Sequence, residues 1–159
     1  MHTSIQVVVL FATIILSQSS LSKQCQSDET LVAECHIKDK AKSAAYICAD
    51  KNGKNGRYIF TRNNKSELSV VFNERNQLQR WLDKGTYTTY LGFNRGEYIY
   101  VLGIPSQNFG VKAFLDVKKD EKYIAHKQCD ENSFTEKEKK GSFVRDLSED
   151  EFFKSIFFP

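Results

Sequence analysis

The chain predicts an all-β fold, an antiparallel sandwich or small barrel of about seven strands with a short C-terminal helix. Three observations carry that expectation. Runs rich in Val, Ile, Tyr, Phe and Thr recur with turn residues about every 8–12 positions, the pattern of short strands in a sandwich or barrel. Asn-Gly occurs twice, at 52–53 and 55–56, between two such runs, which is a strong local hairpin signal. Between 86 and 101, two further runs loaded with Thr, Tyr, Ile and Val flank Asn94-Arg95-Gly96. A hairpin is expected there, at the centre of the sheet, with a three-residue loop closed by Gly96.

At 159 residues there is room for one domain. Residues 1–22 contain no Lys, Arg, Asp or Glu, and 5–16 is an apolar run too short to span a bilayer. Ser20-Leu21-Ser22 fits the small-x-small rule for cleavage, so 1–22 reads as a secretory signal peptide cut before Lys23. Its n-region is atypical, since it carries no Lys or Arg. A buried N-terminal strand is the competing reading, and the lack of alternation in the run argues against it. Lys23-Gln24 before Cys25 do not suit a lipobox. The mature chain is therefore expected to be periplasmic or secreted and free of the membrane.

Export gives the cysteines their meaning. Cys25, Cys35, Cys48 and Cys129 are an even set in an oxidising compartment, so two disulfides are expected. Three pairings are open; the closeness of Cys25 to Cys35 favours Cys25–Cys35 with Cys48–Cys129. Zinc is the competing use, but there is no Cys-x-x-Cys pair and the histidines lack ligand spacing, so no metal and no cofactor is expected. The formal charge is +3, with both signs mixed and no basic block longer than Lys118-Lys119 or Lys139-Lys140. That offers little support for nucleic-acid binding.

Taken in order, 23–42 is polar and reads as an arm tied down by its cysteines. The β-domain is expected over 43–129. Strands are expected at 44–48 and 57–61, around the Asn-Gly turns, and at 67–72, where Leu68, Val70 and Phe72 alternate with less buried neighbours. From 73 to 84 the pattern breaks, with Leu78, Trp81 and Leu82 at i, i+3 and i+4; a loop holding a short strand is expected. After the central hairpin come a turn at 105–110, a strand at 111–117, a charged turn at 118–121 and a last strand at 122–129. Residues 130–146 read as a charged linker. In 147–159, Ser148 with Glu151 forms a capping box ahead of Phe152, Phe153, Ile156 and Phe157. That helix has to bury its aromatic face. Its own sheet is the expected surface, and a partner or a second copy of the chain in a homodimer is the alternative.

Candidates for chemistry are few. His36 and His126, with a lysine, could run ribonuclease-like general acid–base transfer, but only a Cys35–Cys129 pairing would bring them together. There is no Gly-x-Ser-x-Gly elbow and no phosphate-cradling loop. Asn64-Lys65-Ser66 is a glycosylation acceptor in a eukaryotic source. Tyr87, Tyr90, Phe93, Tyr98 and Tyr100 load the hairpin with rings, most simply as cover for the sheet. The loops bounding its first strand, 83–86 and 94–96, are better candidates for recognition.

The order Tyr46-Ile47-Cys48, Tyr58-Ile59-Phe60, the 68–72 strand, Phe93 through Val101, Gly110-Val111 and Cys129 resembles that of small exported bacterial β-proteins. The pattern is similar to that of periplasmic and membrane-bound lysozyme inhibitors, and to that of periplasmic type VI secretion immunity proteins. The inhibitors are barrels or sandwiches that plug an enzyme cleft with a Ser-Gly-x-x-Tyr loop. Lys84-Gly85-Thr86-Tyr87 is the nearest match here; it lacks the Ser and has one residue fewer before Tyr. The resemblance implies a non-catalytic protein that occludes a cell-wall-degrading enzyme or toxin. Its contact residues would be Lys84, Gly85, Thr86, Tyr87, Asn94 and Arg95, with Tyr87 filling a sugar subsite and Arg95 pairing with a catalytic carboxylate. Two readings of other classes stand beside it: a secreted hydrolase using His36 and His126, and a structural or adhesion module docking through its C-terminal helix.

Overall fold

The computed structural model describes residues 24–105, 111–120, 122–130 and 138–154, with backbone alone at Phe153. The expected signal peptide at 1–22, the turn residues 106–110, and Ile156 and Phe157 lie outside them. Among the described residues, ten strands form two sheets. β1 (Glu29–His36), β2 (Ala44–Asp50), β3 (Gly56–Arg62) and β4 (Lys65–Phe72) make a four-stranded meander. β5 (Leu78–Asp83), β6 (Thr88–Arg95), β7 (Tyr98–Pro105), β8 (Phe114–Lys119) and β9 (Lys122–Gln128) make a second meander. β10 (Val144–Asp146) adds to its β5 edge in parallel. The fold is thus the expected all-β sandwich, with ten strands where about seven were expected.

Turn chemistry sets the registers. Asn63 and Asn64 both take positive φ, 50° and 62°, the signature of a two-residue type I′ loop between Arg62 and its partner Lys65. At the central hairpin Arg95 pairs directly with Tyr98. The loop is therefore Gly96-Glu97 rather than three residues, with Gly96 at φ 61° in the first position, as a type II′ turn requires. Asn94 and Arg95 end the strand instead of forming the turn. Lys118 and Lys119 likewise belong to β8, and Asp120 at φ 50° starts the turn.

The arm expected at 23–42 holds a full edge strand. Its alternation was hidden by a bulge between Leu31 and Ala33, which buries Val32 and Ala33 in succession. The expected linker is also structured where it is described. Phe143 is fully buried, seated over Gly56, where a Cβ would come 2.3 Å from its ring. The three residues that follow it are β10. Three apolar residues, Phe134, Phe143 and Val144, in a charged stretch gave no periodicity to read.

The sheets face each other across one core. Ala45, Ile47, Tyr58, Leu68 and Phe72 of the first sheet meet Leu91, Phe93, Leu102, Ile104 and Leu115 of the second. The Phe93 ring packs on Tyr58 at 4.8 Å and on Phe72 at 5.3 Å between centroids. The Tyr58 hydroxyl is buried with no partner among the described residues, and burial pushes its pKa far above the usual phenol value.

Strand parity explains the disulfides, which are Cys25–Cys48 and Cys35–Cys129 rather than the favoured Cys25–Cys35 and Cys48–Cys129. Side chains alternate across a sheet. In β2, Ala45, Ile47 and Ala49 face the core, while Ala44, Tyr46 and Cys48 lie on the outer side with Cys25 packed against them. Cys35 is paired with Ala45 and so faces inward, out of reach of Cys25. There it meets Cys129, whose backbone is bridged to Ile37. Glu29 and Arg57 close the outer side with two contacts, 3.1 and 2.6 Å. Burial raises the Glu29 pKa, but the Arg57 guanidinium and the Gln26 N–H together outweigh it and leave the carboxyl below its ordinary value.

The helix α1 (Glu149–Phe153) starts with the expected capping box, Glu151 N–H donating to the Ser148 hydroxyl and Ser148 N–H to the Glu151 carboxylate. Phe152 stacks on Trp81 at 3.5 Å and covers Ile99 and Val101 on the outer face of the second sheet. The helix therefore packs on its own domain. Because Phe143 joins the strand-forming tail to the core, Phe143→Ala is expected to cost about 3–5 kcal/mol, measured by equilibrium denaturation; a loss below about 1 kcal/mol would mean that the segment is a mere linker after all.

Candidate functional site

The loop between β5 and β6 is built around one carboxylate. Asp83 Oδ1 accepts the N–H of Gly85 at 2.8 Å and of Thr86 at 3.3 Å, and Oδ2 accepts the Thr86 hydroxyl at 2.7 Å. The Thr86 and Thr88 hydroxyls lie 2.9 Å apart, which joins the loop to a buried strand position. Asp is suited to this because its short side chain caps the backbone two and three residues on. The bond from Thr86, with the Gly85 and Thr86 amides, holds the Asp83 carboxyl below its ordinary pKa. The result is a loop ordered from within, displaying Lys84, Gly85, Thr86 and Tyr87 to solvent.

Tyr87 is the outlier of that loop. It has φ 52°, in the left-handed region, and is 56% exposed. For a bulky side chain that conformation costs on the order of 1–2 kcal/mol, and such strain clusters at functional sites. The Tyr87 side chain is among those lining a cleft of about 690 Å³.

The cleft has two walls. One is β5 and its loop, contributing Leu82, Lys84 and Tyr87; the other is the tail, contributing Leu147, Ser148 and Glu149. The tail wall is clamped by Arg80, whose guanidinium meets the Asp146 carboxylate at 2.6 and 2.9 Å and the Lys139 carbonyl at 2.9 Å. Trp81 also lines the cleft, but its ring is already stacked on Phe152 at 3.5 Å and on Tyr90 at 5.4 Å. The indole is a structural support rather than a free stacking platform.

The residues read from the sequence as one contact set do not converge. Lys84, Gly85, Thr86 and Tyr87 sit at the start of β6, whereas Asn94 and Arg95 end it, both exposed. A strand of that length spans about 23 Å at ~3.3 Å per residue. Of the hairpin rings, Phe93 and Tyr100 face the core. Cys35–Cys129 is the pairing that brings the two histidine-bearing strands together, yet each histidine has its own partners. His36 Nε2 lies 3.2 Å from Glu34 and its ring is edge-on to Tyr46. His126 Nδ1 lies 2.6 Å from the buried Asp116, beside Phe114. Among the described residues, the group with metal-ligand proximity is Cys25, Glu29 and Cys48. Its sulfurs are joined to each other and its carboxylate is held by Arg57, so it offers no open ligand set.

Comparison with protein-family models, with curated proteins and with solved structures finds no match to this chain. The site therefore rests on its own geometry. What reading the sequence missed is the wall from the tail and the edge position Leu82. The Asp-x-Gly-Thr signal of the loop was legible, but its strained Tyr was not.

The depressed Asp83 pKa has a checkable sign. A group whose carboxyl is lowered on folding contributes order above its unfolded value, near 3.8, and loses it as pH falls through the lower folded value. The Gly85 and Thr86 amide resonances should therefore titrate together with a midpoint below 3.8, with the loop ordered at all higher pH. A midpoint at or above that value would show that the Asp83 cap does not hold the loop.

Proposed function

We propose that this is an exported, non-catalytic β-sandwich that binds and blocks another protein, with the Asp83-ordered loop as the contact element. The observation that carries the reading is Tyr87: an exposed ring, held in a strained backbone conformation, on a loop whose order comes from its own hydrogen bonds. A preorganised aromatic anchor loses little entropy on binding. The two disulfides suit an oxidising, non-cytoplasmic compartment, and no helix among the described residues is long and apolar enough to cross a membrane. The target class we assign is a cell-wall-degrading enzyme or a secreted toxin, occluded by Lys84, Gly85, Thr86 and Tyr87. Asn94 and Arg95 lie too far away to enter the same cleft, and they have no part in this contact.

The test is binding and inhibition by the mature chain against a panel of muramidases, amidases and any effector encoded beside it. One member should be bound and inhibited, and Tyr87→Ala should weaken that binding about ten-fold or more. A panel with no binder, or a binder indifferent to Tyr87→Ala, contradicts the proposal.

A further inference from the structure

The two walls of the cleft leave a gap in a sheet. In a strand the N–H and C=O of one residue point to the same edge, and successive residues alternate. On β5, Leu78 N–H donates to the Phe143 carbonyl, and the Arg80 carbonyl accepts the Leu147 N–H at 2.8 Å. Positions 78 and 80 thus face β10, and the same parity turns Leu82 to that edge. The other side of β5 is occupied by β6, with which Leu82 makes a non-hydrogen-bonded pair opposite Thr89. β10, however, ends opposite Arg80, because Ser148 leaves the line to cap α1. The N–H and C=O of Leu82 therefore point along an edge from which the neighbouring strand has departed.

That edge opens into the cleft. Leu82 is 50% exposed although every other described Leu is buried or half-buried. Leu82 and Tyr87 offer apolar surface on one wall, and the polar tail of Ser148 and Glu149 stands opposite. The same edge already holds one strand, β10, added in parallel and locked by Arg80 and Asp146. Among the described residues no strand continues β10 along this edge, which leaves a backbone donor, a backbone acceptor and two apolar side chains there.

We propose that the cleft takes an extended stretch of a partner polypeptide, which adds to β5 as a strand at Leu82 and continues the line of β10. The partner's backbone pairs with the Leu82 N–H and C=O. Its alternate side chains pack against Leu82 and Tyr87. This is strand addition at a sheet edge, in which main-chain bonds supply affinity and alternate side-chain contacts supply specificity. A sugar chain would be selected by open aromatic faces, and the Trp81 ring is already engaged by Phe152 and Tyr90. The inference rests on the 83–87 loop being a protein-binding element, and it specifies the conformation of what is bound.

The probe is a displayed library of random linear heptapeptides, selected on the mature, oxidised chain. Selection should enrich sequences that alternate apolar and polar residues. Leu82→Pro removes the N–H that faces the edge and leaves the β6 ladder intact, since proline is tolerated where the N–H is outward. It should weaken the enriched peptides about ten-fold or more, with Trp81 fluorescence and both disulfides retained. Leu82→Lys keeps the N–H, places a charge on the edge, and should weaken the same peptides if the proline variant does not fold. In the free protein the Leu82 amide should exchange with solvent much faster than the amides of Trp81 and Asp83, and it should become protected when peptide is bound. Failure to enrich any peptide, equal binding by the folded Leu82 variants, or a Leu82 amide as slow as its neighbours in the free protein overturns the proposal. Peptides that need Leu82 but ignore Tyr87→Ala would sink the loop reading while leaving the edge site standing.

Discussion

The Cys35–Cys129 disulfide is the constraint on which the rest of the architecture turns. It joins the outer strand of one sheet to the chain just beyond the outer strand of the other, and both sulfurs lie in the core. The backbone repeats the link: Ile37 bridges Cys129, and Asp130 N–H donates to the His36 carbonyl at 2.6 Å. At the other edge the tail bonds to both sheets, Ser142 N–H to the Gly53 carbonyl at 2.9 Å and Leu78 N–H to the Phe143 carbonyl at 2.8 Å, and between these edges the sheets are held by side-chain packing centred on Phe93. A bridge across 94 residues removes about 4.7 kcal/mol of loop entropy from the unfolded chain in the chain-entropy model. For a single domain that is a large fraction of the total stability.

With that corner closed, the opposite side of the sandwich is free to carry function. There β5 would be an open edge, a liability for aggregation. The chain covers it with its own tail: Phe143 in the core, β10 along the edge, and α1 stacked through Phe152 on Trp81. The cover stops one strand position short of the loop. The cleft, the exposed Leu82 and the strained Tyr87 all lie where it stops. The disulfide corner and the proposed recognition site thus lie at opposite edges of the second sheet, and the tail lines the latter.

Much of this was legible in the sequence, for reasons that differ by element. The glycines at 53 and 96 marked hairpins because glycine takes positive φ cheaply. Leu68 and Phe72 alternate because one face of β4 is wet. The Ser148–Glu151 box was readable because capping is local chemistry. The failures were non-local. β1 was hidden by a bulge that breaks period two, and β10 by its dependence on one buried Phe and a distant strand. The disulfide pairing could not be had from nearness in sequence, since it follows from which face of a strand each Cys occupies. The candidate site shows the same split: the 83–87 loop could be named from its residues, but its separation from Arg95 by a strand's length could be seen only once register was known.

Peptide mapping of the oxidised chain under non-reducing conditions tests the account at its base, because the pairing follows from the same strand faces and sheet order that set the position of the cleft. The account predicts two linked fragments, one holding Cys25 with Cys48 and the other Cys35 with Cys129. A fragment linking Cys25 to Cys35, or Cys48 to Cys129, would contradict it.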